Sequence, residues 1–139
     1  MSDGPTLFTR IINGELPCYK LYENEHVFAF LDIQPLSRGH ALLVPKEPAP
    51  SIDQLSSEYA SALGKALPVV CRAVMEATGV SAYNLIQNNG YEAGMTVPHV
   101  HIHIIPCYSD SAHTFVWEPG TLEKSDAVEL AEAISVAIS

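Results

Sequence analysis

The segment Val97-Pro98-His99-Val100-His101-Ile102-His103-Ile104-Ile105-Pro106 places a histidine at every second position three times in succession. A β-strand turns alternate side chains to opposite faces. In extended form His99, His101 and His103 would share one face at steps of about 6.6–7 Å, with Val100, Ile102 and Ile104 on the other. Half of such a strand is core and half is imidazole. The segment therefore predicts a strand beginning near Val97 that presents three groups titrating close to neutrality. Imidazoles so placed have two chemical uses. They can ligate a transition metal, as His-x-His on a strand does in several zinc and iron sites. They can also handle a phosphoryl group as donors, acceptors and nucleophile. No HExxH, CxxC or carboxylate at ligand spacing accompanies the triad, although Glu92 or His40 can approach through space. The phosphoryl reading is therefore the favoured one.

The chain has 139 residues, within the ~100–200 that one domain usually takes, so a single domain over residues 1–139 is expected. With 47% apolar and 17% charged residues it has the composition of a chain that buries a core. Sixteen Asp and Glu against seven Lys and Arg give a net charge of −9. That balance disfavours a nucleic-acid surface, which needs clustered cations to displace counterions. An anionic ligand must then be small and held by dipoles and neutral donors. The N-terminal Met1-Ser2-Asp3-Gly4-Pro5 lacks a basic or apolar leader, and nowhere do about eighteen apolar residues run together. Export and membrane insertion are not indicated, and a cytoplasmic setting is expected. Cys18, Cys71 and Cys107 are odd in number and far apart, as reduced thiols are.

Along the chain, Thr6 as N-cap and Gly14 as terminator bound a short helix. Three short β-rich runs follow at residues 19–22, 27–31 and 40–44, and the turn chemistry between them predicts an antiparallel meander. The proline-rich residues 45–50 form an irregular exit. Residues 52–78 read as the main helix, with Leu55, Tyr59, Leu63, Ala66, Leu67, Val70, Val74 and Met75 on one stripe. Pro68 is expected to kink or divide it, and Gly79 to end it. Residues 83–87 read as a strand, and residues 88–94 as a turn-rich loop. From Ser125 the tail places Ala127, Val128, Leu130, Ala131, Ile134 and Ile138 on one face of an amphipathic helix whose polar face is acidic.

The run His99-Val100-His101-Ile102-His103-Ile104-Ile105 matches the pattern His-φ-His-φ-His-φ-φ, with φ apolar. On it the chain resembles the histidine triad (HIT) superfamily of nucleotide hydrolases and transferases. The likeness extends from Phe8 to Pro106, about seventy per cent of the chain. It runs in order through Phe8-Thr9-Arg10-Ile11-Ile12 with Glu15-Leu16-Pro17, Ala29-Phe30-Leu31-Asp32-Ile33-Gln34-Pro35, Gly39-His40-Ala41-Leu42-Leu43-Val44-Pro45-Lys46, and residues 84–90.

The resemblance implies an α+β domain of the HIT fold, with a five-stranded, mainly antiparallel sheet, one long helix and a C-terminal helix. It implies that His101 attacks the α-phosphorus of a nucleotide, giving a nucleotidyl-histidine that water resolves to the nucleoside monophosphate. A neutral imidazole can do this while its other nitrogen donates to a backbone carbonyl. His99 and His40 would support that geometry, and His103 would contact the phosphate or the leaving atom. Asn88 and the backbone N–H groups of residues 94–97, Thr96 and Val97 among them, would add donors in an anion site without metal or cofactor. Asp32 matches the acid that accepts both ribose hydroxyls. Phe8, Ile11, Leu16, Phe30, Ile33 and Leu42 match positions that wall a purine. Thr96 occupies a hydroxyl position near the leaving group in the Hint branch. A homodimer is also implied, its sheets or long helices meeting at the two-fold axis.

The departures from the family pattern carry chemistry too. Gly94-Met95 stands where relatives usually have Gly-Gln, so the amide that bridges the leaving group and orients water is absent. Thr6 and Thr9 stand where some relatives carry zinc-binding cysteines, with Pro48 near a third ligand position, so structural zinc is not expected. Cys107 replaces a common arginine. The tail Phe115-Val116-Trp117-Glu118-Pro119-Gly120 resembles the end of Hint-type purine nucleoside phosphoramidases. Tyr91-Glu92-Ala93-Gly94 resembles the loop of Fhit-type dinucleoside polyphosphate hydrolases. Phosphoramidate hydrolysis is the first expectation; dinucleoside polyphosphate hydrolysis and a nucleotide-binding signalling protein with weakened catalysis are the alternatives.

Overall fold

The computed structural model describes residues 5–109 and, beyond them, residues 121, 124, 125, 127–129 and 136. Helix α1 (Leu7–Ile12) starts where expected, because the Thr6 side chain accepts the Thr9 N–H and satisfies a donor that the first turn leaves unpaired. Strands β1 (Lys20–Glu23), β2 (Val27–Leu31) and β3 (Ala41–Pro45) follow. Helix α2 (Ser57–Thr78) leads to β4 (Ala82–Ile86), and β5 (Ile102–Cys107) completes the sheet. Among the described residues the strand order is β1-β2-β3-β5-β4, and every pairing is antiparallel. The last strand thus inserts between β3 and β4, which puts the end of the triad segment on an interior strand of the sheet.

Strands β2 and β3 are buried on both faces, which is why they read as unbroken apolar runs. Their alternate residues serve different layers. Val27, Ala29, Ala41 and Leu43 pack with Ile104 against Leu63, Ala66, Val70 and Val74 of α2. Phe28, Phe30, Leu42 and Val44 pack with Phe8 of α1 on the opposite face. One side of the sheet is therefore helix-covered core, and the other is shared by α1 and an open cleft.

Three expectations need correction. The long helix starts at Ser57 rather than Ile52, because Ser56 caps it by accepting the Tyr59 N–H; residues Ile52–Gln54 form a separate 3₁₀ turn. Pro68 does not divide α2. A mid-helix proline costs about 3 kcal/mol, whereas burying a Leu or Val side chain contributes about 1.5–3 kcal/mol. Leu63 before the proline and Val70 and Val74 after it are all buried, so packing outweighs the lost bond. Finally, β5 begins at Ile102 rather than near Val97. Pro98 has no N–H to give a ladder. The His99 N–H turns back to Val97 O (2.8 Å) and the Val100 N–H goes to Ala49 O (2.8 Å), so His99 lies on a bend and His101 in the irregular residues between that bend and the strand. Only His103 lies in the ladder, opposite Leu42 and Ile86.

Of the predicted C-terminal helix, residues 124, 125, 127–129 and 136 are helical, and Val128 is exposed; most of that helix and the whole of residues 115–120 lie outside the described residues. None of the described helices is long and apolar enough to cross a membrane.

Candidate active site

The segment before β5 holds His99 and His101 in buried, directional hydrogen bonds. His99 Nε2 lies 2.7 Å from Pro45 O, and a carbonyl can only accept, so Nε2 carries the hydrogen. Its Nδ1 is then an acceptor, 2.6 Å from Thr6 Oγ1. His101 Nδ1 donates to the His99 carbonyl at 2.6 Å, which leaves the lone pair of His101 on Nε2. The Phe8 ring meets both imidazoles edge-on, at centroid distances of 5.7 Å to His99 and 4.9 Å to His101.

A second chain of hydrogen bonds runs through His40. The Leu36 N–H donates to His40 Nδ1 (3.0 Å), so His40 carries its hydrogen on Nε2 and gives it to His103 Nδ1, also at 3.0 Å. Asp32 Oδ2 lies 3.5 Å from the same His40 Nε2. His103 is left with Nε2–H as a donor. The His101 and His103 ring centroids stand 5.0 Å apart.

These surroundings favour the neutral form of His99, His101 and His103. Burial pulls His99 and His101 below the ordinary value of 6.5, the backbone acceptors opposing it in part. His103 falls to about 4, through burial first and then the neighbouring His101 and His40, against the pull of Asp32. The linkage has one sign for all three. Above pH 6.5 both folded and unfolded chains hold these groups neutral, and that stability is fully present. Below it the unfolded chain takes up protons that the folded chain refuses. Stability to urea is therefore expected to fall as the pH drops from about 6.5 toward about 4, in a titration of unfolding midpoints. A midpoint independent of pH across that interval would contradict the burial argument.

The two chains open on a cleft of about 510 Å³ between α1 and the sheet. It brings together Phe8, Ile11, Leu16, Phe30, Ile33 and Leu42 with Asp32, Thr96, Val97, His101 and His103. Every residue expected to wall the purine is therefore present, with Ile33 on the rim at 79% exposure. Leu7, Pro17, Cys18, Leu31 and Gln34 also line the cleft and were not named as site residues from sequence, although all but Cys18 adjoin a residue that was.

Asn88 is not among the lining residues. Its Nδ2 lies 3.6 Å from where a Cβ on Gly94 would stand, so it packs against the Gly94 turn. That turn also narrows the predicted donors: the Gly94 N–H goes to Tyr91 O and the Met95 N–H to Gly90 O. Thr96 and Val97 then remain as its cleft-lining donors. Met95 is buried and does not line the cleft.

Two metal arrangements can be weighed against this geometry. Asp32, His40 and His103 bring three ligand atoms within 4.8 Å of one another. Ligation through His40 Nε2 would move its hydrogen to Nδ1, against the Leu36 N–H that donates there. At the other end of the site, Thr6 and Thr9 offer hydroxyls in place of thiolates, and both are hydrogen-bonded in a chain to His99. Neither donor set suits a resident zinc ion.

The HIT domain family matches residues 13–110. The chain is 47% identical over 100 residues to the adenosine 5′-monophosphoramidase of Schizosaccharomyces pombe, covering 72% of each. It is 42% identical over 100 residues to an adenylylsulfatase of Arabidopsis thaliana, covering 72% of this chain and 51% of that protein, so it spans about half the Arabidopsis protein's length. A HIT family protein of Bacillus anthracis has a similar structure, with a TM-score of 0.91 at 34% identity over the whole of both chains. With that family match, the ordered histidines and the antiparallel sheet behind them, the chain belongs to the HIT family.

Proposed function

We propose that this HIT-type hydrolase cleaves purine nucleoside phosphoramidates or related adenylyl conjugates at the α-phosphorus through His101. The observation that carries the reading is the buried His101 itself, its Nδ1–H committed to the His99 carbonyl and its Nε2 lone pair left at a nucleotide-sized cleft. A bond forms from Nε2 to phosphorus as the bond from phosphorus to the leaving nitrogen breaks. The leaving nitrogen takes a proton from solvent and departs as the amine, and His103 Nε2–H with the Thr96 and Val97 donors faces the phosphoryl oxygens. Water then attacks phosphorus, the histidine–phosphorus bond breaks, the electron pair returns to Nε2, and the nucleoside monophosphate departs with a proton released. Asp32 accepts the ribose hydroxyls. The names carried by the relatives, a monophosphoramidase and an adenylylsulfatase, support an adenylyl group joined to a small leaving group.

The two sheet edges support a homodimer. Edge β1 is blunted by charge, with Glu23 paired to Lys20 and Lys46, and by a register irregularity between Lys20 and Tyr22. Edge β4 carries no charged residue and leaves Tyr83 and Leu85 exposed, which suits pairing with a second copy.

The test compares turnover of adenosine phosphoramidate and of a dinucleoside polyphosphate on chelator-treated protein, with its mass in solution measured by sedimentation. Faster cleavage of the phosphoramidate by a dimer is the expected result. Preference for the dinucleoside polyphosphate, or loss of activity on chelation, would overturn it.

A further inference from the structure

The carbonyl that orients His101 belongs to His99, so whatever holds His99 also holds the nucleophile. The His99 ring is fully buried and is gripped at both nitrogens, by Pro45 O and by the Thr6 hydroxyl. The hydrogen positions follow without choice. Pro45 O accepts from Nε2–H, so Nδ1 must accept, and the Thr6 hydroxyl hydrogen is committed to it. Thr6 Oγ1 in turn accepts the Thr9 N–H and lies 3.0 Å from Thr9 Oγ1, which must therefore donate to it. A one-way chain runs from Thr9 through Thr6 and the His99 ring.

We propose that Thr6 is a positioning residue for the nucleophile: its hydroxyl, donating to His99 Nδ1, anchors the ring opposite its bond to Pro45 O and so sets the carbonyl that accepts from His101 Nδ1. The proposal rests on the reading of His101 as nucleophile. Thr6 is buried and does not line the cleft, so it touches no nucleotide. Without its hydroxyl, Nδ1 becomes a buried acceptor with no donor. The bond from Nε2–H to Pro45 O still fixes the tautomer, but the ring has lost its second anchor and turns about the one that is left. The peptide after His99 shifts with the ring, and small displacements of a nucleophile are costly in rate.

Thr6 also caps α1, and the test must separate the two roles. Thr6→Val removes both cap and donor, Thr6→Ser keeps both, and Thr6→Asp keeps the cap but presents an acceptor to Nδ1. Thr6→Val and Thr6→Asp are expected to slow formation of the nucleotidyl-histidine about ten- to a hundredfold, with KM changed less than about twofold. Thr6→Ser is expected to stay within about threefold of the native rate. Imidazole nitrogen shifts in NMR should report the Nε2–H tautomer throughout, with the Nδ1 resonance unchanged in Thr6→Ser and moved in Thr6→Val to that of an acceptor without a donor. Native rates in Thr6→Asp, an unchanged His99 Nδ1 resonance in Thr6→Val, or an equal loss in Thr6→Ser would each overturn the proposal. Should Thr6→Val fail to fold, the Asp and Ser variants decide between the roles. The NMR measurement needs no substrate. A wrong tautomer assignment shows there, whereas a wrong nucleophile shows as turnover in a His101→Ala variant.

Discussion

Replacing His101 with alanine is expected to lower turnover of adenosine phosphoramidate by at least about 10⁴-fold while nucleotide affinity changes only a few-fold. The asymmetry comes from the geometry. His101 is buried, at 4% exposure, and one nitrogen is committed to the His99 carbonyl, so the other is its only reactive atom. The residues proposed to wall the base and accept the ribose, Phe30, Leu42 and Asp32 among them, line the same cleft and survive the substitution. Alanine also leaves space beside Phe8, so the nucleotide is not excluded. Steady-state kinetics with equilibrium binding of the nucleoside monophosphate measures both halves. Intact-mass analysis should show a nucleotidyl adduct in the native protein and none in the variant. Substantial turnover by the variant would remove His101 from the mechanism.

Replacing His103 with alanine is expected to lower kcat about 10²–10³-fold, the usual cost of losing one donor to a developing phosphoryl charge. His103 differs from His101 in being held by the sheet, opposite Leu42 of β3 and Ile86 of β4. Its Nδ1 receives the His40 hydrogen, so its Nε2–H is set in place before substrate arrives. A pKa near 4 keeps it a neutral donor at pH 7. The adduct on His101 should still form in this variant, only slowly, which separates a stabilising role from a nucleophilic one. Rapid-quench measurement of adduct formation checks this, and a kcat within about threefold of native would show that the phosphate is held by other groups.

The alternation of apolar and histidine residues after Val97, the Thr6 and Gly14 boundaries of α1, and the unbroken apolar runs of β2 and β3 were all legible in the chain. Each is a local property: side-chain period, capping chemistry and the absence of polar atoms at buried positions. The start of β5 was not legible, because an alternating pattern says where side chains would point in a strand but not where the ladder has partners. Pro98 and the bonds from His99 and Val100 to Val97 and Ala49 end the ladder at Ile102. Likewise Pro68 looked like a break, and only the packing of Leu63, Val70 and Val74 on the sheet shows why α2 passes through it.

Residue identity by itself named groups that the fold brings together: three histidines and His40, Asp32, Thr96, and an apolar wall from Phe8 to Leu42. It also determined the sign of the electrostatics, since a chain at −9 must hold a phosphate with neutral donors. Only the tertiary structure decided which nitrogen of each imidazole carries the hydrogen. That choice depends on the atom opposite each ring, Pro45 O, Thr6 Oγ1, His99 O and Leu36 N–H, and three of these four come from segments distant in the chain or from a neighbouring turn. Tautomers are set by partners across space, and spacing along a strand does not contain them.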